Sequence, residues 1–256
     1  MKNKVLTGLL LVLIGGWGSL SAQSAGSNYS RQVNTLIGTK GVGLTSGYLY
    51  PGATYPYGMV QFTPSYFSKR SGFVINQLSG GGCEHMGNFP TFPVKGKLKM
   101  SPDNILNYRI NISEEKGHAG YYEAMVQEDI KAKLTVTERT GMASYEYPAD
   151  QQYGTVIIGG GISATPIEQA AIVITAPNKC EGYAEGGNFC GLRTPYKVYF
   201  VAEFDADALE SGTWKRDELK PNTTFAEGEY SGVYFTFDVS KKKNVQYKIG
   251  VSYVSV

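Results

Sequence analysis

Histidine and tryptophan are scarce in this chain of 256 residues, at two each, and cysteine is held to three. Two histidines leave little material for a multi-histidine metal centre or for Ser-His-Asp chemistry, and no G-x-S-x-G stretch is present. Net charge is also lacking. The formal +2 comes from Lys2 and Lys4, without which 22 basic residues face 22 acidic ones. No basic patch marks a nucleic-acid binder, so none is expected as a partner. Charged residues make up only 18% of the chain, and no charge block or low-complexity linker breaks it, which excludes disorder by composition. Amphipathic helical periodicity is nearly missing. Only Ser30 to Leu36 and Pro166 to Ala171 read as short helical turns.

What the chain has in quantity is glycine (32 residues) and tyrosine (19 residues), a balance that favours β-structure. Residues 1–22 read as a signal peptide. Lys2 and Lys4 make a positive n-region, Val5 to Leu20 an apolar stretch, and Leu20-Ser21-Ala22 a cleavage site. No other run is long enough for a span of about 20 apolar residues. The expectation is an exported chain, periplasmic or secreted, with no membrane attachment once the leader is removed.

Residues 23–256 read as one domain, about 230 residues being enough for a single large core. Lys133 to Tyr147 alternates apolar and polar residues around a Thr-Gly turn. Thr155 to Ile158, Tyr196 to Phe204, Tyr230 to Val239 and Val245 to Val256 read as further strands. The lysines 241–243 read as a solvated hairpin tip. Strands without intervening helices predict an all-β, antiparallel β-sandwich. The apolar strand pattern running to Val256 reads as a chain cut off before a further domain.

Gly159-Gly160-Gly161-Ile162-Ser163-Ala164 fits G-x-G-x-x-A, but AIVIT at 171–175 resumes a strand where a dinucleotide site needs a helix. It reads as a glycine-rich connection. In an exported chain Cys180 and Cys190, with three glycines between them, read as a disulfide stapling a loop. Zinc is the alternative, though C-x-x-C spacing is missing. Cys83 is left as a small buried thiol.

Two stretches hold more Gly and Pro than a strand tolerates, Thr45 to Gln61 and Leu78 to Pro90. Aromatic rings in such loops can stack on sugar C–H faces while Glu, His and Asn bond hydroxyls. These stretches resemble the N-terminal domain of glycoside hydrolase family 92, the calcium-dependent exo-acting α-mannosidases. The likeness opens at Val33-Asn34-Thr35-Leu36-Ile37-Gly38-Thr39. It continues through Pro51-Gly52-Ala53, Pro56-Tyr57-Gly58-Met59-Val60-Gln61, Leu78 to Cys83 and Gly120-Tyr121-Tyr122, then Leu134 to Gly141.

The resemblance implies a sandwich followed by an (α/α) barrel, absent from this chain. That barrel carries the catalytic acid, the catalytic base and most of the calcium site. No catalytic residue or metal ligand is therefore expected among these residues. Calcium is expected only in the complete enzyme, and the isolated chain is expected to be inactive. The implied activity is inverting hydrolysis of terminal α-mannosides of glycoproteins or mannan. The sandwich would lend sugar-pocket loops, with Gly82, Cys83, Glu84, His85 and Asn88 as the expected sugar-binding residues. Relatives often carry Gly-Asp where Gly87-Asn88 stands. A stand-alone carbohydrate-binding or structural surface domain is the alternative.

Overall fold

The computed structural model describes residues 29–39, 49–65, 72–80, 83, 85–103 and 111–256. The leader at 1–22 lies outside them, as do Gly82 and Glu84. After a 3₁₀ turn at Tyr29–Gln32 come β1 (Ala53–Thr54), β2 (Gln61–Pro64), β3 (Phe73–Val74), β4 (Thr91–Lys95), β5 (Ile112–His118) and β6 (Tyr121–Val126). There follow β7 (Ile130–Val136), β8 (Thr140–Glu146), β9 (Tyr153–Gly159), β10 (Ile167–Ala176), β11 (Lys179–Phe189) and β12 (Leu192–Phe204). The last are β13 (Glu210–Lys215), β14 (Glu218–Pro221), β15 (Phe225–Glu227), β16 (Ser231–Asp238) and β17 (Asn244–Ser252).

They form two antiparallel sheets, as the alternation predicts. One has eight strands in the order β1-β2-β3-β4-β9-β16-β13-β14, and the other nine in the order β15-β10-β11-β12-β17-β8-β7-β6-β5. Side-chain period two puts Val198, Phe200, Ala202 and Phe204 of β12 inward, while Lys197, Tyr199, Val201 and Glu203 lie on the outer face. β9 and β16 are central in the eight-stranded sheet and buried almost without interruption.

Two local readings change. Pro166 to Ala171 is not helical, because Ile167 opens β10 and pairs with Gly186. The lysines 241–243 are not a hairpin tip. β16 and β17 belong to different sheets, so this turn carries the chain across the sandwich.

The sheets are pinned together by a buried hydroxyl cluster. Thr91 on β4 faces Tyr145 on β8 and Tyr247 on β17, all three at 2% exposure or less. Its hydroxyl donates to the Phe73 carbonyl at 3.3 Å. It accepts from the phenols of Tyr247 at 2.6 Å and Tyr145 at 3.0 Å. Thr91→Val keeps the shape but leaves the buried phenols of Tyr145 and Tyr247 only each other, 3.3 Å apart, and so strands one donor. It should cost about 1–3 kcal/mol, read as a lower urea midpoint with an unchanged slope.

A disulfide-held loop at one end of the sandwich

The connection from β3 to β4 crosses one end of the sandwich. It leaves a buried run, Phe73-Val74-Ile75, and then turns polar at Asn76 and Gln77, which are themselves buried. Its second half takes left-handed backbone at Met86 (φ 58°), Gly87 (φ 74°) and Phe89 (φ 54°). For bulky residues such angles cost energy and persist only where packing enforces them. Here Phe89 is fully buried with its ring 4.2 Å from that of Phe200.

The loop is tied to the tip of the β11–β12 hairpin by a disulfide between Cys83 and Cys190, with Cα atoms 5.5 Å apart. This corrects the expected Cys180–Cys190 staple and the reading of Cys83 as a free thiol. Cys180 is the unbonded one, fully buried, and burial pushes its thiol pKa up. The glycines that read as a loop belong to a strand. A Cβ on Gly182 would sit 2.2 Å from the Ala171 carbonyl oxygen, and one on Gly187 would sit 2.3 Å from that of Thr194. Close approach of neighbouring strands demands them. Along an extended strand at about 3.3 Å per residue, Cys180 and Cys190 stand roughly 30 Å apart.

His85 is buried between the same two elements. Its ring lies 5.2 Å from that of Phe189 and 5.6 Å from that of Tyr196. Nδ1 is 3.2 Å from the carbonyl oxygen of Asn188. A carbonyl only accepts, so Nδ1 is the donor in this bond. Asn88 is fully buried and exchanges two bonds with Asn76. Its N–H donates to Asn76 Oδ1 at 2.8 Å, and its Oδ1 accepts from Asn76 Nδ2 at 3.1 Å. The structure thus brings Cys83, His85 and Asn88 together, the last two as interior supports of the loop.

Sequence reasoning missed what surrounds them. Both polar atoms of the Gln77 amide, Asn88 Nδ2, Thr165 Oγ1 and the Tyr196 hydroxyl are buried without a well-formed hydrogen bond. Asn88, Ser163 and Thr165 stand around that hydroxyl. Burial raises the Tyr196 pKa, and these neighbours oppose the rise. Tyr253 closes the group, its hydroxyl 3.4 Å from Asn76 Nδ2 and 3.6 Å from Met86 Sδ. The available signal was Asn-Gln placed directly after a buried apolar run. Apolar side chains flank this end on the surface: Leu49, Leu78, Leu192 and Tyr253 are each about 40–70% exposed.

The Gly159–Gly161 run is a connection. A Cβ on Gly161 would lie 1.9 Å from the Gly228 carbonyl oxygen, and the chain passes from β9 into β10 with no helix. Among the described residues no three His, Cys, Asp or Glu side chains gather as a metal site.

An antiparallel two-sheet sandwich hosts many unrelated functions, and likeness to known proteins narrows them. Residues 32–252 match the glycosyl hydrolase family 92 N-terminal domain. The chain belongs to that family. Over 138 residues it is 31% identical to an uncharacterized secreted glycosidase of the fungus Arthroderma benhamiae, which covers 46% of this chain and 17% of the relative. Its fold is similar to that of a family 92 α-mannosidase of Bacteroides thetaiotaomicron, at TM-score 0.77 and 24% identity over 90% of this chain and 34% of the other. An inverting family 92 mannosidase of the same organism gives TM-score 0.73 and 23% identity, over 89% and 32%. The chain thus spans about a third of these solved enzymes.

Proposed function

We propose that this chain is the N-terminal domain of an exported α-mannosidase that removes terminal α-mannosides from glycoproteins or mannan with inversion. The observation that carries the reading is the family match across residues 32–252. Support for the substrate class comes from the mannosidase relatives of like fold, one of them in complex with mannoimidazole. Support for export comes from the leader and from the secreted relative.

On this reading the sandwich is the smaller partner of an (α/α) barrel. In an inverting enzyme one carboxylic acid protonates the leaving oxygen while a second carboxylate activates water, the two about 6.5–9.5 Å apart. Both belong to the barrel, as does most of the calcium site. The sandwich supplies the loop from Gly80 to Pro90, with Gly82, Cys83, Glu84, His85 and Asn88 serving the sugar. His85 and Asn88, buried as they are, act by holding that loop in shape. The exposed Leu49, Leu78, Leu192 and Tyr253 are the apolar contacts the barrel covers.

Two measurements test this. Purified residues 23–256 should show no turnover of nitrophenyl α-mannoside, with or without calcium. The full product of the gene should hydrolyse it, releasing β-mannose by NMR. Turnover by residues 23–256 alone, or retention of configuration, overturns the reading.

A further inference from the structure

A buried polar atom without a partner costs stability, and a cluster of them in one place calls for a physical cause. Five such atoms gather around Tyr196 of β12: its own hydroxyl, Thr165 Oγ1, Asn88 Nδ2 and both polar atoms of the Gln77 amide. Asn88, Ser163 and Thr165 stand about the phenol oxygen. Gln77 joins them through Gly87, where a Cβ would lie 3.4 Å from the Gln77 amide carbon and 3.4 Å from Ala164 Cβ.

Position supplies the cause. Tyr196 meets the disulfide-held loop at both of its interior supports. Its ring stands edge-on to that of His85, 5.6 Å away at 81°, and its hydroxyl lies beside Asn88. Between those two supports the backbone is left-handed at Met86 (φ 58°) and Gly87 (φ 74°). For a bulky residue such as Met86 this is stored strain, of the kind found at ligand clamps. Asn88 Nδ2 is a donor without an acceptor, and the Tyr196 oxygen beside it can accept. Hydrogen bonds that serve a reacting complex are often long or misaligned in the free protein and tighten only when the complex forms.

We propose that Tyr196 is a positioning residue for the glycosidase reaction: in the sugar complex its hydroxyl accepts from Asn88 Nδ2, and through Asn88 and His85 it fixes the 85–90 segment. Tyr196 acts through its neighbours and touches no sugar, so its buried hydroxyl needs no access to solvent. The role rests on the mannosidase reading above.

The test uses Tyr196→Phe in residues 23–256 and in the full product of the gene. In residues 23–256 the thermal midpoint should be unchanged or raised, because the variant removes a polar atom that lacks a well-formed bond. In the full product KM for nitrophenyl α-mannoside should rise about two- to tenfold, the worth of one neutral hydrogen bond. The bond forms on sugar binding and persists in the transition state, so kcat should hold. Tyr234→Phe is the control. It too removes a buried phenol hydroxyl without a partner, on β16 of the other sheet, and should leave KM unchanged. An unchanged KM in Tyr196→Phe, a lowered midpoint, a loss carried by kcat alone, or an equal rise of KM in Tyr234→Phe overturns the role and leaves the mannosidase reading standing. A parent product with no turnover of the mannoside overturns that reading, and this role with it.

Discussion

Replacing Cys83 and Cys190 together by serine should lower the thermal midpoint by on the order of 10 °C, whereas Cys180→Ala should act only as a small core change. The bond spans 107 residues of sequence. In the chain-entropy picture a loop of that length restrains the unfolded state by about 4.7 kcal/mol, and removal of native disulfides usually costs 2–5 kcal/mol. For a domain of this size each kcal/mol moves the midpoint by about 2–4 °C. The loss should begin at one place. Without the bond, the Cys83–Pro90 segment relies on the His85 contacts with Phe189 and Tyr196 and on a polar group poor in hydrogen bonds. Amide exchange should therefore quicken first at residues 85–90 and at the hairpin tip, ahead of global unfolding. Cys190 is exposed, so mild dithiol treatment of the folded protein should reproduce the effect. Scanning calorimetry decides the matter, and a midpoint within 3 °C of the parent would remove the bond from any structural account of the end loops.

Above pH 10 the fold should lose stability steeply. Tyr145, Tyr147 and Tyr247 are at 2% exposure or less, and burial is the first cause that lifts each phenol well above 10. In the unfolded chain they ionise near 10. The folded pKa is raised, so their contribution is complete below pH 10 and is lost as pH climbs from there toward the folded values. Over that interval the unfolded state binds fewer protons than the native one, and stability falls by about 1.4 kcal/mol per pH unit for each phenol. Three acting together give about 4 kcal/mol per unit, enough to unfold a domain of ordinary stability within two or three units.

Lys95, Lys97 and Lys197, whose pKa values are raised chiefly by hydrogen bonds to Asp129, Glu210 and Glu185, titrate in the same direction. They are substantially exposed, and so contribute little. The comparison that isolates one phenol is Tyr247→Phe, which should lower the alkaline slope by about 1.4 kcal/mol per pH unit while lowering stability at pH 7, the remainder staying with Tyr145, Tyr147 and the other groups that burial raises, Cys180 and Tyr196 among them. Urea unfolding between pH 8 and 11 measures both. A parent slope no steeper than that of the variant would contradict the assignment.

The strands were legible because β-alternation is a local signal. Lys197, Tyr199, Val201 and Glu203 alternate with Val198, Phe200, Ala202 and Phe204, and the sheet follows. The family likeness was legible because its motifs are runs of consecutive residues. What stayed hidden depends on partners distant in sequence. Gly182, Gly186 and Gly187 looked like loop residues, yet they are dictated by backbone on β10 and β12 and by the Pro166 carbonyl. The lysines 241–243 gave no sign of whether the next strand would pair with the last or cross the sandwich. The right partner for Cys190 could not be chosen from three cysteines without knowing that β11 runs straight. Asn88 looked free to meet a ligand until Asn76, 12 residues away, was seen to hold it.

The long reach of the Cys83–Cys190 bond also bears on how the molecule matures. In an unfolded, oxidising environment Cys190 meets Cys180 far more often than Cys83. Closing a loop of 107 residues costs about 2 kcal/mol more than closing one a tenth as long. The early crosslink is thus the short one, and it bends β11 into a ring that cannot join the sheet. Release requires thiolate attack, and once Cys180 enters the core its thiol is withdrawn from exchange by its raised pKa. Strand formation by β11 therefore favours the Cys83–Cys190 pair, because it moves Cys180 and Cys190 apart and buries the Cys180 thiol.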